Sequence, residues 1–174
     1  VSAVNIEENG GRYPVPYMIP PGIEREMNLG TTSSIRLNEQ SMSIKVCDLV
    51  DGDARGVYKT TEFDFRQYKY LKMFVHAEKS IENEQIKYGD LTAFIRIGSD
   101  FTQNYYEYEV PLTFTPWGIG KDREAIWPED NIFDIDLQKL IEVKKHRNMA
   151  MREPGTHITI SDEYIQYDGK NKIT

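Results

Sequence analysis

The feature that most constrains the fold is a two-residue alternation of apolar and polar side chains, which recurs along the chain after residue 40. It is cleanest in residues 104–115, where Tyr106, Tyr108 and Val110 are separated by single polar residues. Because successive side chains of a strand point to opposite faces, this period predicts strands with one buried face. The runs that we predict to be strands are residues 41–46, 62–65, 70–77, 91–97, 105–114, 133–137, 157–160 and 164–167. Such a chain is expected to have a mainly β fold.

Two of these runs are expected to form a hairpin. Residues 91–97 and 105–114 flank a short polar loop, which favours antiparallel pairing. Residues 70–77 are apolar at nearly every position, which is typical of a strand covered on both faces, and we interpret His76 within it as a hydrogen-bonded structural histidine. Many short strands favour an antiparallel β-sandwich of jelly-roll or galactose-binding-like type.

A single helix is predicted near residues 137–149. Leu137, Leu140 and Ile141 follow helical spacing, and basic residues cluster near the end of the segment. Positive charge at that end complements the helix dipole. Pro154 is expected to terminate the helix, because proline lacks the backbone donor that the next turn needs.

Residues 1–40 are predicted to be an extended, Pro-rich arm, and residues 41–174 to be the β-sandwich domain. Four prolines between residues 14 and 21 fix φ and exclude a helix or a central strand. The apolar side chains among them predict that the arm docks, either on its own domain or on a neighbouring part of a larger parent protein. The residues that we assign to partner binding are Tyr17, Ile19, Pro20, Pro21, Ile23 and Arg25.

Charge and cysteine content narrow the classes of function. The net charge of -7 argues against nucleic acid and anionic membrane surfaces, since both attract basic proteins. The one cysteine, Cys47, excludes an internal disulfide and a cysteine zinc cluster. No apolar run approaches about 18 residues, so no membrane-spanning helix is predicted. We expect the chain to be a piece of something larger.

The acidic residues that could carry chemistry have simpler interpretations. Each pair is interpreted as a turn, a helix start or a solvated strand face, and no nucleophile or phosphate-binding motif is present. The pairs are Asp51 with Asp53, Glu107 with Glu109, and Asp134 with Asp136. We therefore expect no enzyme activity, no metal and no cofactor.

A carbohydrate-binding jelly-roll module at the cell surface is the alternative function. Such modules stack exposed aromatic rings on sugars. Alternation assigns Tyr106 and Tyr108 to the core, which leaves Tyr105, Trp117 and Trp127 as the candidate ligand patch.

Several stretches, in consistent order over about residues 12–160, resemble one family. They are Pro20-Pro-Gly-Ile-Glu-Arg-Glu26, Asn38-Glu-Gln-Ser41, Gly52-Asp-Ala-Arg55, Val57-Tyr-Lys59, Phe65-Arg-Gln-Tyr68, Lys72-Met-Phe-Val-His-Ala-Glu78, Phe94-Ile-Arg-Ile-Gly-Ser-Asp-Phe101, Asn104-Tyr-Tyr-Glu-Tyr-Glu109, Ile126-Trp-Pro-Glu129 and residues 144–148. Together they are similar to the SprA/Sov proteins, the gliding-motility and type IX secretion translocon of Bacteroidetes. No single stretch has a chemical meaning, and the resemblance depends on their joint order.

The resemblance implies a very large outer-membrane β-barrel through which folded cargo leaves the cell. The chain would be a periplasmic or extracellular segment from between barrel strands, without direct membrane insertion. Its implied partners are the remainder of the parent barrel, other secretion-system components such as a shuttle-type outer-membrane protein and a plug, and secreted cargo. The resemblance brings no catalytic residues with it, so the expected role is a non-catalytic structural and interaction domain at the outer membrane or cell surface.

Overall fold

The computed structural model of the protein describes residues 1–28, 35–82 and 84–174, so residues 29–34 of the predicted arm lie outside the described residues. The described part is mainly β, as predicted. Its strands are β1 (Ser2–Asn5), β2 (Met27–Asn28), β3 (Ile35–Arg36), β4 (Gln40–Ser43), β5 (Tyr70–Met73), β6 (Thr92–Gly98), β7 (Tyr105–Pro111), β8 (Phe133–Asp136), β9 (Gln166–Asp168) and β10 (Asn171–Ile173). Its helices are α1 (Ile6–Asn9), α2 (Arg123–Ile126) and α3 (Leu137–Ala150), and short 3-10 turns cover Phe65–Gln67 and Glu129–Asn131.

The largest sheet has four antiparallel strands in the order β6-β7-β10-β9. The predicted hairpin forms its first two strands, with Ile95 opposite Tyr108 at the centre. Gly98 lies where the hairpin closes, and a β-carbon there would clash with the Asn104 carbonyl oxygen, so this close approach requires glycine. The hairpin supplies the part of the fold that alternation predicts most directly.

The remaining strands form three separate two-stranded sheets, β1 with β4, β2 with β3, and β5 with β8. All three are antiparallel. A two-sheet jelly-roll or galactose-binding-like sandwich is therefore not confirmed by the described residues. The division into an arm and a domain at residue 40 stays a prediction, although β1 of the arm pairs with β4 across that boundary.

Residues 70–77 do not form the doubly covered strand that we predicted. The strand ends at Met73, and Tyr70 is 49% exposed, so this side of β5 is open to solvent. Beyond the strand, Phe74 and His76 turn inward and contact the Trp127 ring. The apolar residues of this run therefore lie in two environments, first the strand β5 and then the contact with Trp127.

Two shorter predicted strands are also wrong, because local side-chain hydrogen bonds stabilise turns in their place. In residues 62–65, the Asp64 carboxylate accepts from the Arg66 N–H and caps the 3-10 turn that follows. In residues 157–160, Ile160 is exposed and the adjacent Thr159 N–H donates to Asp162. Aspartate competes well with strand pairing for nearby backbone donors.

The predicted helix is confirmed as α3, and it covers the main core. Asp136 caps its start by accepting from the Gln138 N–H at 3.0 Å. Its buried side chains Leu137, Leu140 and Val143 pack into the cluster formed by the central strands. The other buried members of that cluster are Tyr108, Val110, Phe133, Ile135 and Ile173.

Candidate interaction surface

The first half of the Pro-rich arm is buried against the chain itself. Val15 is 1% exposed and Tyr17 is 6% exposed, and both pack with Ile126 and Trp127 in a second core cluster. The Trp127 indole N–H donates to the Met18 carbonyl oxygen at 2.8 Å, which ties the arm to the end of α2. Because these partners are far apart in sequence, this cluster depends on tertiary packing alone.

Polar contacts hold the buried tyrosine of the arm in place. The Tyr17 hydroxyl donates to the Glu39 carboxylate at 2.5 Å and lies 2.7 Å from the Ser41 hydroxyl. Burial, together with the hydrogen bond to Glu39, raises the pKa of Tyr17 to about 12. The hydroxyl therefore stays protonated and keeps its donor role at neutral pH.

An ionic network fastens the arm to the segment after β5. Arg12 donates two hydrogen bonds to the Glu78 carboxylate, at 2.7 and 2.6 Å. His76 lies between the same carboxylate, 3.3 Å from Nε2, and the Ile126 carbonyl oxygen, 2.7 Å from Nδ1. Burial opposes ionisation of Glu78, but the hydrogen bonds from His76 and Arg12 outweigh it and lower the pKa of the carboxyl. His76 is thus hydrogen-bonded, as interpreted from the sequence.

The six residues assigned to partner binding are divided between the interior and the surface. Tyr17 and Pro20 are buried, Ile19 and Pro21 are half-buried, and Ile23 is exposed. Arg25 is half-buried and is held by its own chain, since it donates to Glu7 at 2.7 Å and to the Leu37 carbonyl oxygen at 2.7 Å. The structure does not bring the six together on one surface, and their role in binding a partner stays a prediction.

The three aromatic residues of the candidate ligand patch lie in separate environments. Trp127 is 6% exposed inside the second core cluster. Trp117 is half-buried and contacts the Tyr13 ring edge to face at 6.2 Å. Tyr105 lies under the Arg96 guanidinium at 3.9 Å and donates to Glu163 at 3.0 Å. Trp127 does not offer a ring face to a ligand, and the carbohydrate alternative has no support from this arrangement.

The outer face of the four-stranded sheet is more buried than we predicted. Glu107 is 8% exposed, which corrects its interpretation as part of a solvated face. It accepts two hydrogen bonds from Arg96 on the neighbouring strand, at 2.9 and 2.6 Å. Arg96 also donates to the Phe101 carbonyl oxygen, and Lys172 pairs with Glu109. The cross-strand partners compensate the buried charge.

The other acidic pairs have the structural roles that we expected. Asp53 pairs with Arg55 in the turn, and Asp134 pairs with Lys72 across the β5–β8 ladder. Within the described ranges, no group of three or more histidine, cysteine or acidic side chains is arranged to hold a metal ion. None of the helices that the structure describes has both the length and the apolar character needed to cross a membrane.

Sequence reasoning missed a stretch of apolar side chains that lies uncovered on the outside. We name residues 54–63 the outer stretch; all of them are exposed and none is in a helix or strand. Tyr58 is 77% exposed, yet its ring contacts Phe101 at 4.9 Å. Part of the sequence signal was present, because Val57 and Tyr58 are adjacent large apolar residues outside every run that we predicted to be a strand.

Comparison with known families identifies the chain. The family model SprA_N, described as a motility related/secretion protein, matches residues 1–174. No curated protein is similar enough to count as a match. The match spans the entire chain and confirms the SprA/Sov resemblance of the ordered stretches. The chain therefore belongs to the SprA_N family of motility related/secretion proteins.

Proposed function

We propose that the chain is a non-catalytic structural and interaction domain of an outer-membrane translocon that serves protein secretion and gliding motility. The family supports a role in motility or secretion, and the type IX system, the outer-membrane location and the interaction role are our proposal. Its partners would be the rest of the parent translocon, other secretion-system components and cargo. One observation carries the interaction role, namely the amount of surface that the chain leaves open.

The accessible surface is far larger than that of a closed domain. It amounts to 12751 Å², whereas a globular protein of 20.2 kDa exposes about 8,800 Å². The excess of about 4,000 Å² on this one chain exceeds the share of about 800 Å² that one partner contributes to a standard interface. A chain with this excess is expected to be completed by a partner.

Much of this open surface is apolar. The large apolar side chains on and beside the outer stretch that are at least 40% exposed are Val50, Val57, Tyr58, Phe63, Tyr68, Tyr70, Met73 and Phe101. Among them, the Tyr58 and Phe101 rings are in contact, and contiguous exposed apolar area marks protein interaction sites. By contrast, the buried carboxylate Glu107 is neutralised by Arg96 across the strand pair, which supports a structural role for that face.

The experiment is site-specific photo-crosslinking in cells. A photo-reactive residue replaces Tyr58 in one strain and Tyr17, which is buried in the arm, in the control strain. We expect the Tyr58 position to cross-link to another part of the translocon or to a component whose loss stops secretion, and the Tyr17 position to give none of these products. The proposal fails if Tyr58 gives no such product and if Tyr58→Ser combined with Val57→Ser leaves secretion and gliding unchanged.

A further inference from the structure

Strand β6 forms an outer edge of the four-stranded sheet and has an unused hydrogen-bonding side. The register pairs Ile95 with Tyr108, and the flanking bonds Leu112 N to Leu91 O and Ser99 N to Asn104 O set which residues bond across the hairpin. In this antiparallel pattern, odd-numbered residues of β6 direct their backbone groups to β7. The backbone groups of Thr92, Phe94 and Arg96 therefore point away from the sheet, and within the described ranges they have no backbone partner.

The core face of β6 is also incomplete. Ala93, Ile95 and Ile97 lie on the side of the main core, but each is only half-buried, whereas Tyr108 and Val110 on β7 are buried. The core thus ends at this edge without a covering strand. One more strand beside β6 would cover these side chains and pair the outward backbone groups in the same step.

This edge lacks the usual protection against pairing. Exposed edges are normally short or interrupted by proline, lysine or a bulge. β6 has seven residues, and the opposite edge, β9, has three. The only charged side chain of β6, Arg96, is bound to Glu107 and to the Phe101 carbonyl oxygen. It is held over the sheet, so it does not repel an incoming strand.

The outer stretch limits which molecules can approach the edge of β6. A β-carbon on Gly56 would be 3.8 Å from the Phe94 ring, and the Tyr58 ring contacts Phe101, so the outer stretch lies over the outer face of β6. It makes no backbone hydrogen bond to β6 within the residues that the structure describes. A second copy would bring its own outer stretch to the same edge, whereas a lone extended strand brings no such bulk.

We infer that β6 is a strand-addition site that takes one extended strand from a partner polypeptide. The side of the incoming strand that faces the core carries apolar residues against Ile95 and Ile97. The other side of the incoming strand lies beside the ion pair of Arg96 and Glu107, so it carries polar residues. The backbone groups of Thr92, Phe94 and Arg96 supply the affinity, and the alternation supplies the selectivity. This inference rests on the proposed interaction role and names its contact.

The test compares Phe94→Pro with Phe94→Thr in cells that express the altered protein. Both variants lose the ring, but only proline removes the outward N–H, and neither disturbs the ladder to β7. We expect the proline variant to secrete about tenfold less than the threonine variant, since it loses a hydrogen bond and blocks close approach. Equal secretion by the two variants would overturn the inference.

Two measurements on the isolated chain guard this comparison. The two Phe94 variants should unfold at the same urea concentration, whereas Ile95→Pro, which removes a donor to β7, should unfold at a much lower one. If Phe94→Pro is as unstable as Ile95→Pro, the edge assignment is wrong. A concentration-dependent dimer that Phe94→Pro dissolves would show that a second copy is the occupant and would also overturn the inference.

Amide hydrogen exchange separates strand addition from the broader proposal. The Phe94 and Arg96 amides should exchange freely in the isolated chain and become protected in the assembled complex, while the Ile95 amide is protected in both. Protection of Phe94 in the isolated monomer would mean that the outer stretch already occupies the edge. If Tyr58 cross-links but the β6 amides stay unprotected in the complex, strand addition is refuted and the interaction role stands. If neither the cross-links nor the protection is seen, both the interaction role and strand addition are refuted.

Discussion

Replacing Asn131 with alanine is expected to lower the free energy of unfolding by about 3 kcal/mol. Asn131 is fully buried at the end of the 3-10 turn that precedes β8. Its Oδ1 accepts a hydrogen bond from the Thr113 N–H at 2.8 Å, and its Nδ2 donates to the Thr113 carbonyl oxygen at 2.8 Å. The side chain thus pairs with the backbone just beyond the end of β7, as a neighbouring strand would.

The magnitude follows from the two backbone groups that alanine leaves without a partner. A buried donor or acceptor that loses its partner costs about 1–3 kcal/mol, so two of them cost about 2–6 kcal/mol. Thr113 is only half-buried, and water can reach part of it, which places the cost in the lower half of that range. Asn148 is exposed on α3, so Asn148→Ala is a matched control that should leave stability nearly unchanged.

Urea denaturation followed by tryptophan fluorescence measures the effect, because Trp127 is buried and reports its own exposure. Asn131→Asp sharpens the test, since the introduced carboxylate can accept from the Thr113 N–H but cannot donate to its carbonyl oxygen. Burial raises the pKa of that carboxyl in the folded state, so the loss of stability should be largest at neutral pH and shrink as the pH falls. If Asn131→Ala stays within about 0.5 kcal/mol of the wild type, the two bonds do not hold this junction.

Three further outcomes test the arm and its fastening. Trp127→Phe keeps a ring but loses the indole donor to the Met18 carbonyl oxygen, and should cost about 1 kcal/mol in urea denaturation followed by circular dichroism, since the variant lacks the buried tryptophan reporter. Val15→Ala removes two buried methyl groups and should cost about 2 kcal/mol by the same assay, whereas Val50→Ala, at a position 68% exposed, should cost almost nothing. The lowered pKa of Glu78 stabilises the fold above the ordinary carboxyl pKa, and this contribution should be lost as the pH falls through the folded value. Glu78→Gln should remove that part of the acid dependence, measured as melting temperature against pH.

Alternation predicted the parts of the fold whose two faces differ strongly. In β7, Tyr108 and Val110 are buried as predicted, and α3 begins at the predicted residue because Asp136 accepts a hydrogen bond from the Gln138 N–H. These features depend on neighbours within a few residues. The prediction that residues 70–77 form a strand covered on both faces was wrong. An apolar pattern shows that a face tolerates burial, but it cannot show whether another element covers that face.

The candidate site was harder to predict because its contacts join distant parts of the chain. Trp127 was interpreted as a possible surface aromatic, yet it bonds to Met18, which lies 109 positions away. Glu107 was interpreted as solvated, and this was wrong because a cation on the neighbouring strand, Arg96, compensates its charge. Neither pairing leaves a local pattern, so only the folded arrangement reveals which polar residues are buried.

Deleting the Pro-rich arm and substituting residues of the outer stretch are therefore different experiments. Loss of residues 12–26 would uncover Ile126 and Trp127 and delete Val15 and Tyr17 from the second core cluster. Each of these side chains contributes about 1.5–3 kcal/mol by burial, and a domain of this size has only about 5–15 kcal/mol to lose. A secretion defect after such a deletion would report unfolding. The outer stretch packs into neither core cluster, so substitutions there can remove binding and leave the fold intact.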